Sequence, residues 1–195
     1  MTDDAELLVG VRSNDRQACA SFVRRFGPRM LSVARRLLGD DMAAEDCVQE
    51  AFLNAFRTIN QFEERSSLAT WMHRIVVNAA LMKLRAAKRR REGSIEELLP
   101  DFDQRGCRIE PIWQQQQSAE EMVQQREIQD LVMSKVDELP ENYRTVFILR
   151  DIEDMSTSDV ATLMESSAGA VKIRLHRARA ALKKLLEPIW EGREQ

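Results

Sequence analysis

In the first half of the chain, apolar residues recur at the three- and four-residue steps of a helix face. From Asp41 onward Ala44, Cys47, Val48, Ala51, Phe52, Ala55, Phe56 and Ile59 fall on one stripe, which predicts a long amphipathic helix with Glu45, Asp46, Gln49 and Glu50 on its opposite side. Upstream, Asp15 is placed to cap a helix carrying Ala18, Phe22 and Phe26. Gly27-Pro28 predicts a break there, with Pro28 as the first residue of a further helix ending near Gly39. After the polar stretch 60–66, Ser67 can cap a second long helix whose stripe is Leu68, Trp71, Met72, Ile75, Val76 and Ala79. Its far end is basic, and Gly93 marks its limit.

From Gly93 to about Gln117 the periodicity fails. Pro100, Gly106, Pro111 and the glutamine run 114–117 lie among scattered acids, the pattern of a flexible linker. Ser118 with Glu121 then forms a capping-box pattern, and Met122, Ile128, Leu131, Val132, Val136 and Leu139 predict a helix ending before Pro140. A shorter helix follows with Tyr143, Val146, Phe147 and Leu149. Ser156 with Asp159 repeats the capping pattern and opens a short helix bearing Val160, Ala161, Leu163 and Met164. Glu165-Ser166 makes a turn, and Ser167 starts a long last helix running toward Pro188. Helix, short turn, helix, with the small Ala161 where two helices must cross, is a helix-turn-helix pattern. The expected fold is all-α: helical domains at 1–92 and 118–195, joined by a linker at 93–117.

Composition agrees with this reading. Aromatic residues make up 6% of the chain and there are 7 glycines, little material for sheets and hairpins, against 44% hydrophobic and 31% charged residues. No apolar run approaches the roughly 18 residues of a membrane span, and Thr2, Asp3 and Asp4 do not resemble a basic leader, so the expected location is the cytoplasm. Cys19, Cys47 and Cys107 are odd in number and widely spaced, which offers neither a disulfide framework nor a metal pair. Cys19 and Cys47 read as small apolar residues, while Cys107 lies in the polar linker.

The net charge of −3 argues against nucleic-acid binding only until its distribution is considered. Lys83, Arg85, Lys88, Arg89, Arg90 and Arg91 form one basic block, and Lys172, Arg174, Arg177, Arg179, Lys183 and Lys184 form another. The acids collect elsewhere, at 40–50 and after the first block. Two separated basic blocks predict two contacts with a polyanion, while the acidic surfaces face another partner. In the second block Lys172, Arg174, His176 and Arg177 occupy the first turns of the last helix. There a recognition helix presents donors to base edges and phosphates, while Val171, Leu175 and Leu182 can face inward. Beside the first block, Phe62 and the loop to Ser67, with Trp71 just beyond, can supply a surface for unpaired bases, and Asn78 to Arg91 can hold the strand's phosphates. Catalysis has no comparable support: no phosphate-binding loop, dinucleotide fingerprint or zinc motif occurs, and His73 and His176 are far apart. No cofactor, metal or small-molecule substrate is expected.

These segments resemble a known family. AEDCVQEAFLNAFR, Ala44 to Arg57, is similar to the D-x-x-Q-E-x-F signature of region 2 in bacterial sigma factors. SSLATWMHRIVVNAALMKLRAAKRRR resembles the segment of that region that reads the minus-ten promoter element. MSTSDVATLMESSAGAVKIRLHRARAALKKL resembles region 4, the reader of the minus-thirty-five element. Two such regions with no domain between them are the pattern of the group IV, extracytoplasmic-function subclass.

By that resemblance the chain binds core RNA polymerase and promoter DNA and directs promoter recognition, DNA opening and initiation. Asp46, Gln49 and Glu50 would dock on the clamp of the beta-prime subunit. Phe62, Ser67 and Trp71 belong to the minus-ten reader, with the loop 62–67 receiving a flipped base. Asn78, Lys83, Arg85 and Lys88 would lie along upstream DNA, and Ser167, Lys172, Arg174, His176 and Arg177 would meet the minus-thirty-five element. The domain around Val146 and Leu149 would meet the tip of the beta flap, and an anti-sigma factor is implied as a further partner.

Several positions depart from the family pattern. Met82 replaces a common acidic residue. Glu165 stands at the usual turn glycine, where a left-handed conformation would cost an L-residue on the order of 1 kcal/mol, so a differently built turn is expected. Ile173 and His176 also differ from the residues common in the recognition helix. The rival reading is a free-standing operator-binding regulator, which a helix-turn-helix serves equally well, but the acidic signature of the first half does not suit it. A helical nucleic-acid-modifying enzyme lacks a catalytic set.

Overall fold

The computed structural model describes the backbone of residues 4–88 and 119–191 and the side chains of residues 4–86 and 128–187. The linker 93–117 with Cys107, the run Arg89 to Arg91, and the side chains of Lys88 and of the Ser118–Glu121 capping pattern lie outside the described residues. Among the described residues all regular structure is helical, and no helix is long and apolar enough to cross a membrane. The chain falls into two compact units divided between Arg91 and Glu92.

In the N-terminal unit, α1 (Asp4–Arg12) buries Leu7, Leu8 and Val11 and lies on α2 (Arg16–Leu38). The Asp15 carboxylate accepts the Ala18 N–H at 2.7 Å, replacing a helix bond that the first turn lacks. Contrary to the sequence expectation, α2 runs unbroken through Gly27-Pro28. A proline inside a helix costs about 3 kcal/mol. Here Arg24 and Pro28 are both exposed, so the carbonyl left without a partner can be hydrated. Phe22, Phe26, Met30, Val33 and Leu37 bury on the other side, and at about 1.5–3 kcal/mol each they outweigh the defect. Gly39 then ends α2 in the left-handed region, at φ 67°, with its N–H on the Arg35 carbonyl at 2.8 Å.

Asp40 caps α3 (Asp41–Thr58) through the Ala43 N–H at 2.7 Å. A short 3-10 turn, Ile59–Gln61, leads to the loop before α4 (Leu68–Lys88), which Ser67 caps through the Thr70 N–H at 3.1 Å. Helices α2, α3 and α4 each pack on the other two. The fully buried Ala34, Ala44, Ala55 and Ala80 let their backbones approach closely, and the rings of Phe22, Phe26, Phe52 and Phe56 fill one end of the core. The inner face of α4 is rotated from the predicted stripe: Leu68, Met72, His73, Val76, Val77, Ala80, Leu81 and Leu84 are buried, while Trp71, Ile75 and Ala79 are half-buried. Two flanking helices, α2 and α3, need a broader apolar arc than one stripe supplies.

The C-terminal unit comprises α5 (Ala119–Asp137), α6 (Glu141–Phe147), α7 (Thr157–Leu163) and α8 (Ala168–Glu191). α5, α6 and α7 all pack against α8, around Val146, Ile148, Leu149, Val160, Val171, Ala178 and Ala181. Beyond α6 the chain widens into a π-helical turn, Ile148–Ile152, whose extra residue gives no periodicity signal in the sequence. The Arg150 guanidinium closes this turn on the Met155 carbonyl. Ser156 caps α7, accepting the Asp159 N–H at 3.0 Å and donating to the Asp159 carboxylate at 2.8 Å.

Between α7 and α8 Glu165 adopts φ 49°. The expectation of a differently built turn is therefore corrected: the turn keeps its left-handed residue, and glutamate occupies it. Bonds from the Met164 N–H to the Val160 carbonyl at 2.9 Å and from the Ser166 N–H to the Ala161 carbonyl at 2.9 Å hold the backbone in this path whatever the side chain. Glu165→Gly should relieve the strain and stabilise the C-terminal unit by about 1 kcal/mol, less the greater freedom of glycine in the unfolded chain. Calorimetry should show this as an upward shift of that unit's transition by a few degrees, and an unchanged or lower transition would mean that the glutamate is not strained there.

Candidate nucleic-acid and protein interfaces

On α3, Asp46, Gln49 and Glu50 are all exposed, as the stripe on the opposite side requires. Sequence reasoning missed two apolar neighbours. Met42 is 78% exposed and Leu53 is 57% exposed. Residues 42, 46, 49 and 53 follow helical spacing, so Met42 and Leu53 bracket Asp46 and Gln49 on one outward face. The outward face of α3 thus combines acidic, amide and apolar side chains. Met42 and Leu53 fall outside the inward stripe of α3, and their apolar character is the signal in the sequence.

Behind this face Cys47 is fully buried, its thiol directed at the Val76 carbonyl at 3.9 Å. Burial pushes the thiol up to about 11, with Lys83 lowering it and Glu50 raising it by smaller amounts. Cys47 therefore stays a neutral thiol and serves the α3–α4 contact. Glu50 and Lys83, assigned from the sequence to different partners, meet across these two helices at 3.2 Å. The pair is exposed enough that either residue can exchange its partner at little cost.

On α4, Arg74, Asn78, Met82 and Arg85 are exposed at helical spacing, and they form the outward ridge of the first basic region. Arg74 was not singled out in the sequence, and Met82 places an apolar contact in the middle of the ridge. The loop 62–67 lies at the other end of this helix. Phe62 is only 7% exposed, and its ring packs on Trp71 with centroids 5.1 Å apart. The Phe62 ring, expected to help supply a surface for unpaired bases, forms the floor of the loop, because an exposed phenyl beside a half-buried indole gains more by burial against it. Ser67 is exposed, but its hydroxyl already accepts the capping bond and lies 2.8 Å from the Thr70 hydroxyl. The loop's two carboxylates each have a cation, Arg65 on Glu63 at 2.7 Å and Arg12 on Glu64 at 3.0 Å, so the loop presents no bare negative charge to a nucleic acid.

In the C-terminal unit Ser167 caps α8, accepting the Ala170 N–H at 3.1 Å, so its predicted DNA contact is limited to what a capping hydroxyl can still donate. Val171, Leu175 and Leu182 are buried as expected, and Val146 and Leu149 are fully buried in the core. Lys172 and His176 are exposed, while Arg174 and Arg177 are half-buried. Arg174 donates to the Ser166 hydroxyl at 3.2 Å, which ties the first turns of α8 to the turn before it. Ile173 stands 58% exposed among these donors. A bidentate bridge from Arg179 to Asp151, at 2.8 and 2.7 Å, was not legible in the sequence; it gives the exposed Arg179 a carboxylate partner and raises its pKa. Among the described residues no cluster of three or more histidines, cysteines and acids could hold a metal ion.

Comparison with known proteins places both units. Residues 22–90 match the family described as Sigma-70 region 2, and residues 129–182 match Sigma-70, region 4. The chain is 32% identical to the RNA polymerase sigma-H factor of Pseudomonas aeruginosa over 187 residues, 95% of each chain. It is 29% identical to the ECF RNA polymerase sigma factor SigW of Bacillus subtilis, over 92% of this chain and 94% of that one. Among solved structures, CnrH in complex with the cytosolic domain of CnrY shares the fold, with a TM-score of 0.55 at 24% identity, covering 96% of this chain and 99% of that one.

Proposed function

Because the chain belongs to the sigma-70 family, in its extracytoplasmic-function branch, and so is a sigma factor that directs transcription initiation by RNA polymerase, we propose how its surfaces divide that work. The face of α3 bearing Met42, Asp46, Gln49, Glu50 and Leu53 holds the beta-prime clamp. The loop 62–67 and the ridge Arg74, Asn78, Met82 and Arg85, with Lys83 and Lys88, take the minus-ten element and the DNA upstream of it. Lys172, Ile173, Arg174, His176 and Arg177 enter the major groove of the minus-thirty-five element, and the C-terminal unit also meets the beta flap. Residues 1–92 and 118–195 are the two working domains, and 93–117 joins them. In this reading the chain performs no covalent step: it captures and opens DNA, and the polymerase supplies the chemistry, in the cytoplasm.

The observation that carries the proposal is the segregation of surfaces. The exposed acids of α3 share their face with two large apolar residues, whereas the exposed donors of α4 and α8 lie on other helices. DNA repels the first surface and attracts the others, and a free-standing operator-binding regulator has no use for it. Run-off transcription with core polymerase tests the whole reading. Selective transcription should depend on adding this chain, and transcription that is equal without it would overturn the reading.

The clamp assignment has its own test. Asp46→Ala with Gln49→Ala should weaken co-purification with core polymerase by about tenfold or more and leave the helical circular dichroism unchanged, since both side chains are exposed. Unaltered core binding would remove α3 from the interface. An anti-sigma factor is proposed as a further partner, since the fold is shared with the sigma factor RpoE solved in complex with the anti-sigma factor NepR from Bartonella quintana.

A further inference from the structure

We infer that Arg12, at the end of α1, is a positioning residue that holds the loop 62–67 in the shape that receives an unpaired base. This rests on the reading of that loop as the minus-ten reader. Arg12 lies far from the loop in sequence and carries no motif, yet its guanidinium divides between two of the loop's groups. Nη2 donates to the Phe62 carbonyl at 2.7 Å, and Nη1 donates to the Glu64 carboxylate at 3.0 Å. Among the described residues these are the hydrogen bonds that tie residues 62–64 to another helix.

The loop requires such a tie. Glu64 sits at φ 57°, a conformation that an L-residue with a long side chain leaves readily unless its surroundings hold it. The neighbouring backbone bonds are local: the Phe62 N–H closes the 3-10 turn on the Ile59 carbonyl at 3.2 Å, and Ser67 begins α4. The Phe62 ring, packed on Trp71, fixes the loop at one side chain, and Arg12 fixes it at the backbone. The Arg12 side chain is part-exposed, so its ion pair with Glu64 counts for little by itself, but its planar fork serves that carboxylate and a backbone carbonyl at once, which a lysine ammonium does not reproduce with the same geometry. A loop held in this way captures a base without first ordering itself. A released loop must lose conformational freedom at the moment of capture, so the DNA-opening step should slow while recruitment of polymerase and recognition by α8 proceed unchanged.

The test uses the full chain in holoenzyme with core polymerase and a promoter bearing 2-aminopurine in the minus-ten non-template strand. Opening is followed by fluorescence, so that the isomerisation rate at saturating holoenzyme separates from the concentration dependence of initial binding. Arg12→Ala should lower the isomerisation rate about tenfold and leave initial binding and core co-purification near wild type, and Arg12→Lys should fall between. Glu64→Gln keeps the bond to the Phe62 carbonyl and should slow opening by much less than Arg12→Ala. The double variant Arg12→Ala with Glu64→Gln should stay as slow as Arg12→Ala. If the double variant recovers, Arg12 merely neutralises a carboxylate and the positioning role is overturned. A second control replaces residues 63–66 with glycine and serine. Slow opening there beside normal opening in Arg12→Ala would overturn the role of Arg12 alone, and normal opening in both would overturn the reading of the loop on which it rests.

Discussion

Phe22→Ala should cost the N-terminal unit about 3–5 kcal/mol, the usual cost of removing a fully buried phenyl from a core that cannot collapse around the gap. Phe22 has no exposed surface, and its ring lies 4.9 Å from Phe26 and 5.8 Å from both Phe52 and Phe56, edge-on to the first two. The substitution thus empties the junction of α2 and α3 and removes three ring contacts, each worth about 0.5–1.5 kcal/mol beyond its area. A small domain has a total stability near the lower end of about 5–15 kcal/mol, so the loss takes most of it. Because the aromatic cluster lies wholly within residues 22–56, the effect should fall on one calorimetric transition and leave the other in place. Phe22→Leu, which keeps most of the volume, should lose less than half as much. A uniform shift of all unfolding would count against two separately folding units, and a loss under about 1 kcal/mol would mean that the cluster repacks.

The inward placement of these rings was legible in the sequence, but not their meeting across α2 and α3. Phe22, Phe26, Phe52 and Phe56 repeat at four-residue steps, and helical periodicity reports directly which residues turn inward. Asp15, Ser67 and Ser156 were equally readable, because a capping side chain acts on its own first turn and its partner is fixed by local spacing, while the cap Asp40 went unread among the acids. What failed was whatever depends on a neighbour distant in sequence or on the balance of local and tertiary terms. Pro28 is a helix breaker by local rules, and five buried side chains of the same helix override it. Glu165 is strained by local rules, and the surrounding turn bonds hold it there. The inner arc of α4 was misjudged because its width depends on two partner helices.

The candidate surfaces show the same division. Outward placement of Asp46, Gln49, Asn78, Lys172 and His176 followed from the stripes opposite them. The pairs Arg12 with Glu64, Lys83 with Glu50 and Arg179 with Asp151 join residues 28 or more positions apart, and no periodicity encodes them. Their consequence is functional. Arg179 belongs to the second basic block, yet it already holds a carboxylate, so block charge overstates the cations without an acidic partner.

Replacing both Arg174 and Arg177 with alanine should have the largest effect on promoter selection. Each good contact to a base or phosphate contributes about 1–3 kcal/mol, so the double variant should lose about 2–6 kcal/mol of binding that depends on the minus-thirty-five element, at least roughly thirtyfold in occupancy. Both residues lie on the early turns of α8, half-buried at the base of the exposed group formed by Lys172, Ile173 and His176, where a recognition helix meets the groove. Arg174 also donates to Ser166, so part of its effect could arise from a loosened turn. Ser166→Ala removes that bond and keeps the guanidinium, and it should retain most promoter binding if the arginine works through DNA. Ile173→Ala should act differently from the arginine variants. It removes an exposed apolar contact suited to a thymine methyl, so it should narrow the preference between thymine and other bases with little change in salt dependence. The double arginine variant should instead flatten the dependence of binding on salt, by up to about one counterion for each arginine that contacts a phosphate. Filter binding of holoenzyme to matched promoters, with the upstream element intact or scrambled, gives both readings in one titration. If scrambling that element weakens the double variant as much as wild type, α8 is not its reader, whatever charge the helix carries.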